Sequence, residues 1–286
     1  MFLWHGMSTV TTQSWLARAG RYHPRLIQAA MAMNENDLPV AEPLLRAHLK
    51  EDPLDVFAIR LFAELAGRIG RYNDAENLLR RALELAPAFT PARANLALVL
   101  YRQNRPADAI AELNRVVEEE PDNPGHANLQ AAALGRIGEF DEAITLYERV
   151  LAQAPNQPRV WMSFGHMLKT VGRLDEGIAA YRQAIELMPT LGEAWWSLAN
   201  LKTVKFTDID IAAMKAALEQ GGVAREDRFH LDFALGKALE DRGEAEASFA
   251  HYAAGNALRR TELDYDADET ARFVDRLIEI ATPEFF

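Results

Sequence analysis

Cysteine is missing from the 286-residue chain, which excludes disulfides, thiolate nucleophiles and sulfur-ligated metal sites. No apolar run approaches the roughly 20 residues of a membrane span. The N-terminus, MFLWHGMSTV, lacks the basic region of a secretory signal, so we expect a cytoplasmic protein with no membrane partner. Acidic residues outnumber basic ones, 42 to 31, for a net charge of −11. Because nucleic-acid binding needs a strongly basic surface, we expect no such partner.

The motifs of common enzyme sites are also missing. The sequence contains no G-x-x-x-x-G-K-[ST], G-x-G-x-x-G, H-E-x-x-H or G-x-S-x-G. These patterns would supply a phosphate-binding loop, a zinc site or a nucleophilic serine, respectively. None of the seven histidines is paired with another at helical i, i+4 spacing. The sequence therefore predicts no cofactor, no metal and no catalytic residue.

What the chain does contain is an internal repeat of 34 residues. The repeat is marked by five prolines, Pro53, Pro87, Pro121, Pro155 and Pro189. They define five regular repeats, at 22–55, 56–89, 90–123, 124–157 and 158–191. Two weaker repeats follow at 192–225 and 229–262. A period of this length predicts stacked supersecondary units, each needing its neighbours to bury an apolar face.

Two columns of the repeat hold small residues, which predicts close helix contacts. The eighth position holds Ala29, Ala63, Ala97, Ala131, Gly165, Ala199 and Gly236. The twentieth holds Ala41, Ala75, Ala109, Ala143, Gly177, Ile211 and Ser248, so only the sixth repeat departs from the pattern. Each repeat is thus predicted to be two antiparallel helices that touch at these positions.

Residues that tolerate a left-handed backbone separate the two helices of most repeats. They are Asn36, Gly70, Asn104, Gly138, Gly172 and Gly243, and residues of these types commonly end a helix. Asn73, Asp141 and Asp175 follow three residues later, where we expect them to be N-caps of the second helix. The recurring proline then interrupts the chain after that helix.

These columns resemble those of tetratricopeptide repeats, most clearly in the fifth repeat. That repeat carries Trp161, Gly165, Leu168, Gly177, Tyr181, Ala184 and Pro189. The resemblance covers residues 22–262. It implies an all-α, right-handed superhelical solenoid of about seven helix pairs, with a concave groove lined by the first helix of each pair.

The predicted organisation has five segments. An N-terminal segment or cap (1–21) precedes the regular repeats (22–191), an irregular sixth repeat (192–228) and a seventh repeat (229–262). Residues 263–286 form a capping helix and tail, because residues 267–281 carry an apolar stripe behind a capping-box sequence. Two alternatives stay open: the sixth repeat is either eroded or a hinge, and the last helix either caps the solenoid or binds a second partner.

The resemblance places the partner-binding groove at positions two, five, six, nine and twelve of each first helix. Asparagine there can bond the backbone of an extended peptide, Met and Trp can anchor apolar side chains, and basic residues can receive carboxylates. A basic column, formed by Arg68, Arg102 and Arg136, serves either partner binding or solubility. Two tryptophans, Trp161 and Trp195, are assigned to the core. The candidate groove residues are Arg60, Asn95, Tyr101, Asn128, Arg159, Met162, His166, Lys169, Trp196 and Asn200.

Two C-terminal strings resemble a more specific architecture. Residues 230–260 and 269–286 are similar to the last repeat and connecting helix of bacterial proteins in which a tetratricopeptide array precedes a sulfotransferase domain. That resemblance implies a sulfotransferase domain in cis, using 3′-phosphoadenosine 5′-phosphosulfate, but the phosphosulfate-binding loop is absent here. The sequence thus favours a non-enzymatic scaffold that binds a polypeptide in its groove, as a monomer or with weak self-association. The alternative is the substrate-recruiting region of such a sulfotransferase.

Overall fold

The computed structural model describes residues 23–261, 265–282 and 285. These residues form fifteen α-helices and no strand, which confirms the predicted all-α solenoid of helix pairs. The predicted N-terminal segment, 1–21, lies outside the described residues. The helices are α1 (Pro24–Asn34), α2 (Leu38–Glu51), α3 (Val56–Arg68), α4 (Tyr72–Leu85), α5 (Thr90–Arg102), α6 (Pro106–Glu119), α7 (Pro124–Ile137), α8 (Phe140–Gln153), α9 (Pro158–Thr170), α10 (Leu174–Leu187), α11 (Gly192–Asn200), α12 (Asp208–Glu219), α13 (Arg225–Glu240), α14 (Ala245–Arg260) and α15 (Ala267–Ile280).

The chain divides into two compact units, Met1–Ala180 and Tyr181–Phe286, with the boundary inside α10. In the first compact unit the helices pack in pairs, α1 with α2, α3 with α4, α5 with α6 and α7 with α8. Each first helix also contacts the first helix of the next pair, and no comparably extensive contact joins the described second helices. Because the stack is tighter on the side of the first helices, α1, α3, α5, α7 and α9 form its concave side. We call them the inner helices, and α2, α4, α6 and α8 the outer helices.

Small residues lie where the paired helices meet, as the repeat columns predict. Ala63, Ala97 and Ala131 have no exposed surface, and Ala75 and Ala109 on the facing helices have none either. Larger apolar side chains fill the flanks, and the core of the middle pairs includes Leu79, Leu96 and Leu113. A side chain larger than a methyl group at the alanine positions would push the two helices apart.

The turns between paired helices also follow the prediction. All six predicted residues have positive φ, for example 61° at Asn104 and 93° at Gly138. A backbone N–H beyond each of them bonds a carbonyl five residues earlier, as in Arg105 N to Leu100 O at 2.9 Å. This is the Schellman arrangement, which satisfies carbonyls left open at a helix end.

The predicted N-caps Asn73, Asp141 and Asp175 are wrong by about two residues. Helices α4, α8 and α10 begin at Tyr72, Phe140 and Leu174, so the three polar residues lie in the first helical turn. The left-handed residue reverses the chain so sharply that the next helix starts two residues after it. Acidic residues in this turn still favour the helix through its dipole.

The second compact unit departs from regular repeat packing. Helix α11 packs extensively on α13, and α13 packs on both α12 and α14. After α11 ends, the chain passes through Lys202 at φ 62°, and the buried ring of Phe206 lies 6.0 Å from that of Trp195. Thr207 is the N-cap of α12 and forms a capping box with Asp210.

Helix α15 exists where the apolar stripe predicts it. Asp266 is its N-cap and accepts bonds from the backbone of Asp268 and Glu269 at 2.8 and 3.3 Å. Its apolar side chains are exposed, including 53% of Phe273 and 48% of Leu277. The capping role assigned to residues 263–286 therefore stays a prediction.

Candidate functional site

The concave face of the first compact unit carries eight of the ten candidate groove residues. Arg60 lies on α3, Asn95 and Tyr101 lie on α5, and Asn128 lies on α7. Arg159, Met162, His166 and Lys169 lie on α9, and the remaining two, Trp196 and Asn200, lie on α11 in the second compact unit. The fold thus places the first eight on neighbouring inner helices.

Burial separates the candidates into accessible and inaccessible side chains. Asn95 is only 8% exposed and Met162 only 7%, so both present little surface to a partner. Asn128 is half-buried and Lys169 is exposed. Arg60, Tyr101, Arg159 and His166 are also half-buried, so accessible candidates lie on all four of the inner helices α3, α5, α7 and α9.

Arg60 belongs to an ion-pair network on α3. One carboxylate oxygen of Glu64 lies 3.1 Å from Arg60 Nη1, and the other lies 2.6 Å from Arg68 Nη2. All three side chains are at least 87% buried. Since i, i+4 pairs gain strength when they are shielded from water, this network holds the arginines against the inner helix.

Two members of the basic column, Arg68 and Arg136, have a structural role that the sequence did not reveal. Arg68 donates to the carbonyl of Met33 at 2.6 Å, and Arg136 donates to the carbonyl of Tyr101 at 3.1 Å. Each accepting carbonyl lies near the end of the preceding inner helix, where carbonyls need a partner. The Arg136 guanidinium also lies 4.0 Å from the centre of the Tyr101 ring. These arginines join successive inner helices while keeping their charge on the concave side.

The tryptophans assigned to the core make a second recurring contact. The indole N–H of Trp161 donates to the carbonyl of Pro155 at 2.7 Å, and that of Trp195 donates to the carbonyl of Pro189 at 2.9 Å. Arg93, at the same position of its repeat, donates to Pro87 O at 2.7 Å. In these three repeats, the side chain at position four therefore bonds the carbonyl of the proline that precedes its helix.

Helix α9 presents three nitrogen-bearing side chains along one face. Arg159, His166 and Lys169 are separated by seven and then three residues, a spacing that returns to the same side of a helix. Arg159 and His166 are half-buried and Lys169 is exposed. On the neighbouring helix α7, a Cβ at Gly135 would lie 2.6 Å from the sulfur of Met167, so a larger residue there would displace the flexible Met167 side chain.

The second compact unit carries an aromatic cluster on α11 and α13. The ring of Trp196 lies 5.6 Å from that of Phe233, which lies 5.9 Å from that of Phe229. Trp196 and Phe233 are half-buried and Asn200 is exposed. Beside them, burial lowers the pKa of His230, although nearby carboxylates including Glu193 act in the opposite direction. This cluster offers a mainly apolar surface with polar edges.

One group of side chains has the composition of a metal site. Ligand atoms of His48, Asp52 and Asp55 lie within 4.8 Å of one another. However, Asp55 is the N-cap of α3 and accepts from the backbone N–H groups of Phe57 and Ala58 at 2.9 and 3.1 Å. Its other oxygen bonds His48 Nε2 at 2.9 Å. Helix capping therefore accounts for Asp55 and its bond to His48, while Asp52 accepts from the backbone N–H of Leu54 at 3.3 Å.

No helix among the described residues is both long enough and apolar enough to cross a bilayer. Comparison with known proteins yields three family-model matches, each described as a tetratricopeptide repeat. They cover residues 69–133, 127–167 and 158–190. An uncharacterized protein of Aquifex aeolicus (strain VF5) is 31% identical over 84 residues. That match covers 29% of this chain and spans only 11% of the length of the relative.

Several solved structures share the fold. PilW, a widely conserved type IV pilus biogenesis factor, matches with a TM-score of 0.56 at 18% identity over 82% of this chain and 91% of its own. MamA from AMB-1 matches with 0.52 at 24% identity over 58% and 98%. YrrB, a repeat protein with an unusual peptide-binding site, matches with 0.51 at 18% identity over 69% and 100%. These structures share the fold of this chain, and the family models match tetratricopeptide repeats within residues 69–190.

Proposed function

We propose that this chain is a protein–protein interaction scaffold that binds an extended polypeptide segment on the concave side of its first compact unit. The observation that carries the proposal is the environment of Asn128. Its side chain is half-buried on inner helix α7, and its amide makes no hydrogen bond to another described residue. A side-chain amide can both donate to and accept from a peptide backbone, so this position suits an extended chain.

The surroundings of Asn128 support the same proposal. Its neighbours on α7 include Gly125 and Ala132, both half-buried, and such small residues leave room for a second backbone. The adjoining helix α9 supplies Arg159, His166 and Lys169 at one edge. Tetratricopeptide folds with a described peptide-binding site, such as YrrB, are consistent with this use of the fold.

The test begins with a peptide selected from a displayed library against the purified chain. Replacing Asn128 with alanine removes bonds of about 1 kcal/mol each, so we expect affinity, measured by fluorescence anisotropy, to fall about tenfold. Asn77→Ala on outer helix α4 is the matched control, because Asn77 is exposed on the opposite layer. Equal affinity of both variants and the parent chain would show that the segment binds elsewhere.

The alternative function is recruitment of a substrate for a sulfotransferase domain. It is supported by the resemblance of residues 230–260, which form most of the α13–α14 helix pair, and of residues 269–286. The chain is expected to have no donor site of its own, because it lacks the phosphosulfate loop. Titration with 3′-phosphoadenosine 5′-phosphosulfate in a calorimeter should therefore give no heat of binding, and a saturable isotherm would contradict this assignment.

A further inference from the structure

Charge is unevenly divided between the two layers of the first compact unit. The five inner helices carry eight Arg or Lys residues and one acidic residue, a net charge of +7. The four outer helices carry six basic and twelve acidic residues, a net charge of −6. The eight inner basic residues are Arg25, Arg60, Arg68, Arg93, Arg102, Arg136, Arg159 and Lys169. A chain with an overall charge of −11 thus has a basic concave layer.

Part of this positive charge is neutralised within the protein. Arg25 lies 2.6 Å from Glu51, and Arg93 lies 2.7 Å from Glu112, so both pair with carboxylates of outer helices. On α3, the sole inner carboxylate, Glu64, is shared by two arginines. The other four inner basic residues, Arg102, Arg136, Arg159 and Lys169, lie on α5, α7 and α9.

The inner helices α5, α7 and α9 contain no acidic residue at all. Their basic residues on the concave side are Arg102, Arg136, Arg159 and Lys169. Arg136 and Lys169 are exposed, and Arg102 and Arg159 are half-buried. A guanidinium has five N–H donors, so the bond from Arg136 to Tyr101 O leaves donors for a ligand. Charges in a partly desolvated groove interact more strongly than those on an open surface.

We infer that the groove formed by α5, α7 and α9 binds an acidic polypeptide segment. This inference rests on the proposed function and specifies the chemistry of the partner. Asn128 contacts the peptide backbone, while Arg136 and Lys169 receive Asp or Glu side chains through charge-assisted hydrogen bonds. The recognition uses side-chain carboxylates along the segment, so a free C-terminus is not required.

A nucleic acid is the competing polyanion, and the charge distribution disfavours it. A duplex carries a phosphate charge about every 1.7 Å along its axis, and would need a continuous basic surface. Here the outer layer is negative and the basic residues are confined to the concave side. A polypeptide is narrower and carries its acidic side chains at intervals. It therefore fits basic residues that lie only on the concave side better than a nucleic acid does.

The experiment compares labelled short peptides with blocked termini. One alternates Glu with Ala, the second has Gln in place of Glu, and the third has Lys in place of Glu; a single-stranded DNA oligonucleotide is the fourth probe. By fluorescence anisotropy, we expect the Glu peptide to bind at least about tenfold more tightly than the Gln peptide. Added salt should weaken its binding, because screening reduces charge–charge attraction.

Two charge reversals test the location. Lys169→Glu on α9 should weaken binding of the Glu peptide about tenfold or more. Lys50→Glu on outer helix α2 makes the same change in net charge at an exposed position and should leave binding unchanged. Circular dichroism spectra of both variants establish that they fold like the parent chain. Equal weakening by the two variants would overturn the groove assignment, because it would report net charge alone.

The remaining outcomes separate this inference from the proposed function. If the Gln or Lys peptide binds as tightly as the Glu peptide, and Asn128→Ala weakens it, the acidic specificity is overturned while the scaffold function stands. If the DNA binds as tightly as the Glu peptide, the assignment to a polypeptide is overturned. If none of the probes binds and library selection yields no ligand at this face, both proposals fail.

Discussion

Gly192→Ala tests the contact that assembles the second compact unit. Gly192 is the first residue of α11, and its backbone N–H donates to a carboxylate oxygen of the buried Asp227 at 3.1 Å. A Cβ at this position would lie 1.9 Å from the Asp227 carbonyl oxygen and 2.7 Å from its carbonyl carbon. These are backbone atoms, which cannot move aside as a flexible side chain can. The methyl group therefore has to separate α11 from α13.

The expected cost follows from these distances. Reaching an ordinary contact requires a shift of about 1 Å or more in a closely packed interface, and overpacking of this kind typically costs about 1–3 kcal/mol. The same shift stretches the bond from Gly192 to Asp227, which adds about 1 kcal/mol. In the absence of tertiary contacts, alanine would favour the helix by about 0.5–1 kcal/mol. We therefore expect a net loss of about 1–3.5 kcal/mol in the free energy of unfolding.

Urea denaturation followed by tryptophan fluorescence provides the measurement. Trp195 and Trp196 lie on the same helix as Gly192, so their emission reports this part of the chain. Gly221→Ala is the control: a Cβ there meets nothing within 4 Å, and its φ is not positive. We expect the control to change stability by less than about 0.5 kcal/mol. If Gly192→Ala proved as stable as the control, the close approach of α11 and α13 would be refuted.

Three further predictions concern the helix contacts, the turns and the response to pH. Ala131→Leu should cost about 1–3 kcal/mol in urea melts, whereas Ala111→Leu at an exposed position should be nearly neutral; similar effects would refute the repeat register. Gly138→Ala should cost about 1 kcal/mol, because φ is 93° there and a Cβ disfavours that conformation; an unchanged melting midpoint would contradict this. Burial alone would raise the pKa of Asp210, but bonds including those from Arg182 together lower it. Stability from this group is therefore present near neutral pH and lost as pH falls through its folded-state pKa, and Asp210→Asn should remove that part of the pH dependence.

Sequence periodicity predicted the fold and the helix contacts because each depends on one position recurring in every repeat. The small residues, the left-handed turns and the prolines all act locally or between adjacent elements. The predicted N-caps lie two residues too far along the chain, because the length of the Schellman turn sets the start of the next helix and the polar residues near that turn do not. The accessibility of Asn95 and Met162 depends on packing by neighbouring helices, which their repeat positions do not specify.

The candidate site illustrates the same limit. The repeat positions place eight candidate residues on neighbouring inner helices. They do not distinguish side chains that line the groove from side chains that hold the helices together. Arg68 and Arg136 bond carbonyls of the preceding inner helix, contacts made between residues 35 positions apart in the sequence. The separation of charge between the two layers likewise depends on which helices lie on the inner side and which on the outer side, and the packing of the helices decides this.

By itself, the sequence determined that this chain is an all-α solenoid of repeated helix pairs, because a fixed period of small and left-handed residues leaves little choice of local geometry. The tertiary structure decided which side chains face the concave side, which are buried there and which arginines bond carbonyls of the preceding helix. It also decided the departure at α11, where Gly192 lies against Asp227 in place of regular repeat packing. These features depend on distances between helices, and such distances are set by how whole faces of side chains pack together.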